Sequence, residues 1–167
     1  WSKDGTKISL SDFPKRTGYL DLKEDPPEFH ELASSSGSTI FGLTFSPDGN
    51  WIAYGSSISG GYSCYIAPIE NPSQAQLITK VYKGEEPRWS PDGDEIFYRS
   101  AQGLYSVPLE FSSNQDVKIG APELIINTPW IDSHGIGYDV HPSGEKFLMV
   151  VHEEEEVSDH FKIVLNF

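Results

Sequence analysis

Basic residues are scarce in this chain: 12 Lys and Arg stand against 25 Asp and Glu, for a formal charge of -13. A sequence-independent grip on nucleic acid needs clustered Lys and Arg to displace counterions. An anionic lipid surface attracts the same residues. Neither partner fits, whereas a cationic one would. Cysteine is scarcer still. Cys64 stands alone, so no intrachain disulfide can form. No apolar run approaches the roughly 18 residues of a membrane-spanning helix, so direct membrane insertion of this segment is not expected. No basic-then-apolar leader opens the chain. No stretch reads Gly-x-Ser-x-Gly, the elbow that exposes a hydrolase nucleophile. GSSISG at 55–60 has the wrong spacing and reads as a loop, so no catalytic residue is assigned. His30, His134, His141, His152 and His160 lack the close pairing of a zinc motif. EDPPE (24–28) and PDGDE (91–95) lack the ligand count and glycine placement of a calcium loop. No metal and no cofactor is expected.

What the chain has is one phrase, used four times. WSKDGTKISL opens at Trp1, FSPDGNWIAY at Phe45, WSPDGDEIFY at Trp89 and VHPSGEKFLM at Val140, with spacings of 44, 44 and 51 residues. A phrase in four copies is a building unit rather than a catalytic center. Aligned on the turn, Ile8, Ile52, Ile96 and Phe147 form one apolar column, and Leu10, Tyr54, Tyr98 and Met149 form the next but one. That period of two marks a strand with a committed face. The column between them, Ser9, Ala53, Phe97 and Leu148, is apolar in three copies, so both faces are expected to be covered. Asp4-Gly5, Asp48-Gly49 and Asp92-Gly93 tolerate positive φ, and Pro47 and Pro91 preset the residue before. Each is therefore read as a tight hairpin, with Ser143-Gly144 the weaker fourth version.

Further strands follow each hairpin. Third strands are predicted at 18–22, 64–69, 104–109 and 161–167, and fourth strands at 27–32, 75–80 and 122–127. The sequence thus predicts an all-β fold of four-stranded antiparallel blades with a period near 44 residues, the signature of a β-propeller. The units run about 1–44, 45–88, 89–139 and 140–167. The first lacks a first strand and the last a fourth. The chain is read as a partial, C-terminal piece of a larger propeller, with missing blades or another subunit covering its open edges. A compact four-bladed ring is the alternative.

The phrases FSPDGNWIAYGS and EPRWSPDGDEIFYRS resemble the WD-like repeat of TolB-like β-propellers, in which a Ser-Pro-Asp-Gly turn joins the first two strands of a blade. YDVHPSGEKFLMVV followed by FKIVLNF resembles the last blade of such propellers. His141 and Ser143 depart from the usual Ser and Asp, so a different cap is expected there. The resemblance covers about the whole chain. It implies a periplasmic or extracellular bacterial location and a protein-binding role, and it supplies no catalytic residues.

Loops joining second to third strands, and fourth to first, share one end of such a fold. They are expected at 33–40, 55–62, 81–86, 99–103, 127–136 and 152–160. A polar, aromatic-bearing loop face on a rigid scaffold is the default binding surface. The candidate residues there are Trp130, Asp132, His134, Tyr82, Glu85, Arg99, Glu153 and Glu154. Trp130 is the expected anchor, since Trp is enriched at interface hot spots. The function read from this is a non-catalytic module that binds protein or peptide as a scaffold or sensor. The alternatives are a propeller domain of a larger enzyme, such as a prolyl-oligopeptidase-like serine peptidase or a bacterial membrane serine/threonine kinase, and a metal-dependent oligosaccharide lyase.

Overall fold

The computed structural model describes residues 1–12, 16–32, 39–57, 61–80, 83–112, 116–128, 136–150 and 164–165. They form four antiparallel sheets in chain order. The first joins β1 (Lys7–Asp12), β2 (Arg16–Asp21) and β3 (Glu28–Glu31). The second joins β4 (Ile40–Phe45), β5 (Trp51–Ser56), β6 (Ser63–Pro68) and the short β7 (Gln76–Leu77). In the third, β8 (Glu85–Trp89), β9 (Glu95–Ser100) and β10 (Gly103–Phe111) pair in order, and β10 carries both β11 (Val117–Ile119) and β12 (Glu123–Ile126). The fourth joins β13 (Tyr138–Val140), β14 (Phe147–Met149) and β15 (Val164–Leu165). Among the described residues the helical content is one 3-10 turn at Pro72–Gln74. The fourth strand expected at 75–80 shrinks to two residues, and β11 was not foreseen. No described helix is long and apolar enough to cross a membrane.

The four hairpin turns are built alike. Gly5, Gly49, Gly93 and Gly144 all have φ between 71° and 80°, where a side chain would be strained. In each, the glycine N–H donates to the carbonyl three residues back: Ser2, Ser46, Ser90 and His141, at 2.8–3.0 Å. The serine hydroxyl then accepts from the backbone that leaves the turn. Ser2 Oγ takes Lys7 N–H at 2.8 Å, Ser46 Oγ takes Trp51 N–H at 2.9 Å, and Ser90 Oγ takes Glu95 N–H at 3.0 Å. In the fourth turn His141 Nδ1 instead accepts from Ser143 N–H at 3.1 Å, inside the turn, so the cap differs there, as its departure from the repeat foretold.

In the first two turns the same network holds Asp4 and Asp48 ionised. Burial pushes the Asp48 carboxyl up, but hydrogen bonds from Ser46 and Asn50 outweigh it and leave it below the usual carboxylate range. A carboxylate depressed in the folded state stabilises above its unfolded pKa, near 3.9, and that contribution is lost as pH falls through the lower folded value. Asp48→Asn is therefore expected to flatten part of the stability loss below about pH 4. Chemical unfolding of both forms at pH 6 and in the acid range checks this, and identical pH profiles would refute it.

The sheets stack face to face, and alternation along each strand assigns every side chain to one neighbor. Ile52 and Tyr54 pack with Tyr19, Leu32, Ile40 and Leu43, between the first and second sheets. Trp51, Ala53, Cys64 and Ile66 pack with Trp89, Ile96, Tyr98 and Val107, between the second and third. Phe97 and Leu104 pack with Tyr138, Phe147 and Met149, between the third and fourth. The column Ile8, Ile52, Ile96 and Phe147 thus always faces the preceding sheet. Ile52, Ile96 and Phe147 are buried, but Ile8 is only half-buried, because no described sheet precedes the first. The same reason leaves Leu148 45% exposed, since its column faces the following sheet. The expectation of cover on both faces holds for the two central sheets and fails at the two ends.

Candidate functional site

The first strands of the second, third and fourth sheets, β4, β8 and β13, lie side by side on the inner edge of the stack. Two of them carry a bulge, between Phe41 and Thr44 and between Glu85 and Arg88. Within the bulges Gly42 has φ 61° and Glu86 has φ 56°. These positions are one repeat of 44 residues apart, so the third sheet places a glutamate where the second uses glycine. A left-handed non-glycine residue is strained and persists only when its surroundings hold it.

The surroundings are a buried polar network. Glu86 Oε1 accepts from Arg99 Nη2 at 3.0 Å, and Glu85 Oε1 accepts from the same nitrogen at 2.7 Å. Glu86 Oε2 accepts from Gly137 N–H at 2.8 Å, across the boundary to the fourth sheet. The Tyr138 hydroxyl donates to the Glu86 carbonyl at 2.8 Å. Burial pushes the Tyr138 phenol well up, so it stays a neutral donor. Burial also pushes the Cys64 thiol well up, with Glu85 and Glu86 adding to the shift, which makes it inert packing rather than a nucleophile.

Beside this network a groove of about 360 Å³ opens along the inner strands. Trp1, Leu10, Leu43 and Ile136 give it apolar walls, Ser9, Ser11, Thr17 and Thr44 line it as well, and Arg88 is the one charged lining residue among the described residues. Away from it, at the β2–β3 hairpin, Glu24, Glu28 and His30 bring one donor atom each within 4.8 Å of the others. A hydrogen bond to Glu28 raises the Glu24 carboxyl, so this pair can share a proton.

Of the residues nominated from sequence, Glu85 and Arg99 lie in described segments, and the structure brings them together. Arg99 is only 6% exposed, so its guanidinium serves the joint between sheets rather than an open surface. Trp130, Asp132, His134, Tyr82, Glu153 and Glu154 lie outside the described residues. Described parts of the expected loop face do meet: Ser57 N–H donates to the Thr39 carbonyl and Gly84 N–H to the Tyr62 carbonyl, each at 3.1 Å. Glu86 and Arg88 escaped sequence reasoning. The 44-residue alignment of Glu86 with Gly42 was the signal available for the first, and nothing in the sequence marked the second.

No family model matches the chain. Over 83 residues it is 30% identical to dipeptidyl aminopeptidase BIII of Pseudoxanthomonas mexicana, covering 45% of this chain and 12% of that protein. TolB from Acinetobacter baumannii superposes over 99% of this chain and 39% of its own, with a TM-score of 0.62 and 22% identity. An oligogalacturonate lyase in complex with manganese superposes over 87% of this chain and 42% of its own, with a TM-score of 0.58 and 15% identity. The chain thus spans under half the length of each of these three proteins. At these identities the structural likeness speaks to fold alone, and in fold the chain is a set of TolB-like β-propeller blades.

Proposed function

We propose that this chain is a non-catalytic binding module for protein or peptide, acting as a scaffold or sensor in a periplasmic or extracellular bacterial setting. The observation that carries the reading is how the repeated residues are used. The Ser, Asp and Gly of the turns are consumed by the hairpins, and the apolar columns by packing between sheets. The inter-strand loops, by contrast, differ in length and residue from unit to unit, as a surface that selects one partner requires. The outward face of the first sheet, with Leu22 exposed, and that of the fourth, with Leu148 exposed, suit a further sheet from the same polypeptide or another subunit.

The 127–136 insertion is the largest departure from the repeat, and insertions in repeat proteins map to one face, often the binding face. Trp130→Ala is expected to weaken capture of a partner by about 1 kcal/mol or more, with an unchanged melting temperature. Charge reversal at Glu153 and Glu154 should alter the association rate and its salt dependence more than the fold. Titration of both variants against a captured partner is the test. Unchanged affinity in both would remove the site from these loops.

The peptidase similarity favors a second reading, a propeller domain that accompanies a catalytic domain in one polypeptide. Peptide hydrolysis by the full-length polypeptide, with none by residues 1–167, would select it.

A further inference from the structure

We propose that the inner groove recognizes a carboxylate on an extended apolar peptide, and that Arg88 reads it. This rests on the binding-module reading and adds the chemistry of its ligand. Arg88 lies on β8 and is half-buried. Its Nη1 donates to the Pro87 carbonyl at 3.0 Å, and among the described residues it forms no ion pair. Arg99, on the adjacent strand, has two carboxylates. A guanidinium stays protonated at any physiological pH, and a half-buried one without a counter-ion bears a desolvation cost that a bound anion offsets. Its planar fork matches a carboxylate at two points.

The rest of the groove selects the kind of anion. Leu10 and Leu43 line it, and Ile136 and Trp1 stand 62% and 75% exposed at its wall. A sugar acid surrounds its carboxylate with hydroxyls. Of the groove's own hydroxyls, Ser11 and Thr17 bond each other, Thr17 also bonds the Ile40 carbonyl and that of Thr44 is buried, which leaves Ser9 to meet them beside these apolar side chains. An acidic residue flanked by aliphatic ones brings no such hydroxyls to pair. Thr44 also lines the groove, although its own hydroxyl is buried. The volume, about 360 Å³, suits a short segment rather than a folded domain. The net charge of -13 repels an acidic ligand from afar. Physiological salt screens that repulsion beyond about 8 Å, inside which Arg88 acts.

The test uses immobilized apolar pentapeptides with a central Asp, and the same set with Asn. The chain should retain members of the Asp set at least about tenfold more strongly, the scale of one charge-assisted hydrogen bond. The preference should shrink with salt, vanish in Arg88→Gln and partly survive in Arg88→Lys, which keeps the charge and loses the fork. The Asp-to-Asn comparison uses the unmodified chain, so it stands even where a variant folds poorly. Equal retention of both sets overturns the carboxylate assignment and leaves the binding-module reading to the Trp130 titration. A preference that survives Arg88→Gln, no retention of either set, or preferential binding of an oligouronate also overturns it.

Discussion

Arg99→Ala is expected to cost about 3–5 kcal/mol of folding stability, the scale of breaking a buried ion pair by removing one partner. The substitution leaves the Glu86 carboxylate buried beside Glu85 with no guanidinium between them. It also loosens the joint to the fourth sheet, because the carboxylate that holds Gly137 N–H is the one Arg99 holds. Glu86→Gln should be milder. The amide oxygen can still accept from Gly137, and Arg99 keeps Glu85. In the double variant the two losses should sum to less than their separate values, since they share one network. Urea unfolding of the three variants measures all of this. An Arg99→Ala loss under about 1 kcal/mol would put the pair in the class of exposed salt bridges and refute the buried-joint reading.

Ile52→Ala and Ile96→Ala should each cost about 2–5 kcal/mol, because each empties a site with no solvent access and neighbors on two sheets. Ile8→Ala should cost about 1 kcal/mol or less, as suits a partly exposed side chain. The three residues hold the same place in the repeat, so a reading of the sequence alone treats them alike. Their difference lies in the stack. Ile52 and Ile96 meet the sheet before them, whereas Ile8 has no described sheet to meet. Three equal losses would mean that Ile8 is covered in solution, by a further sheet or a second chain. Size-exclusion chromatography with light scattering would then distinguish a second chain.

The residues of this chain determined, by themselves, most of what is local. Asp-Gly and Ser-Gly pairs fixed the turns, since few other residues tolerate φ near 75°. The period of two fixed which side chains share a face, and four aligned copies fixed the fold class. The altered cap at His141 was legible for the same reason: it breaks a column. Tertiary structure alone decided how far each column is buried, because burial depends on which sheet lies opposite. It decided that Glu85 and Arg99 meet, 14 residues apart, with Glu86 as the third member. No local signal announces a carboxylate whose partner N–H lies 51 residues further along the chain. It also decided that Arg88 lines a groove with residues of the first and second sheets and with Ile136, 48 residues further along the chain. Periodicity tells a side chain which face to take, and only the stacking of the sheets supplies what that face meets.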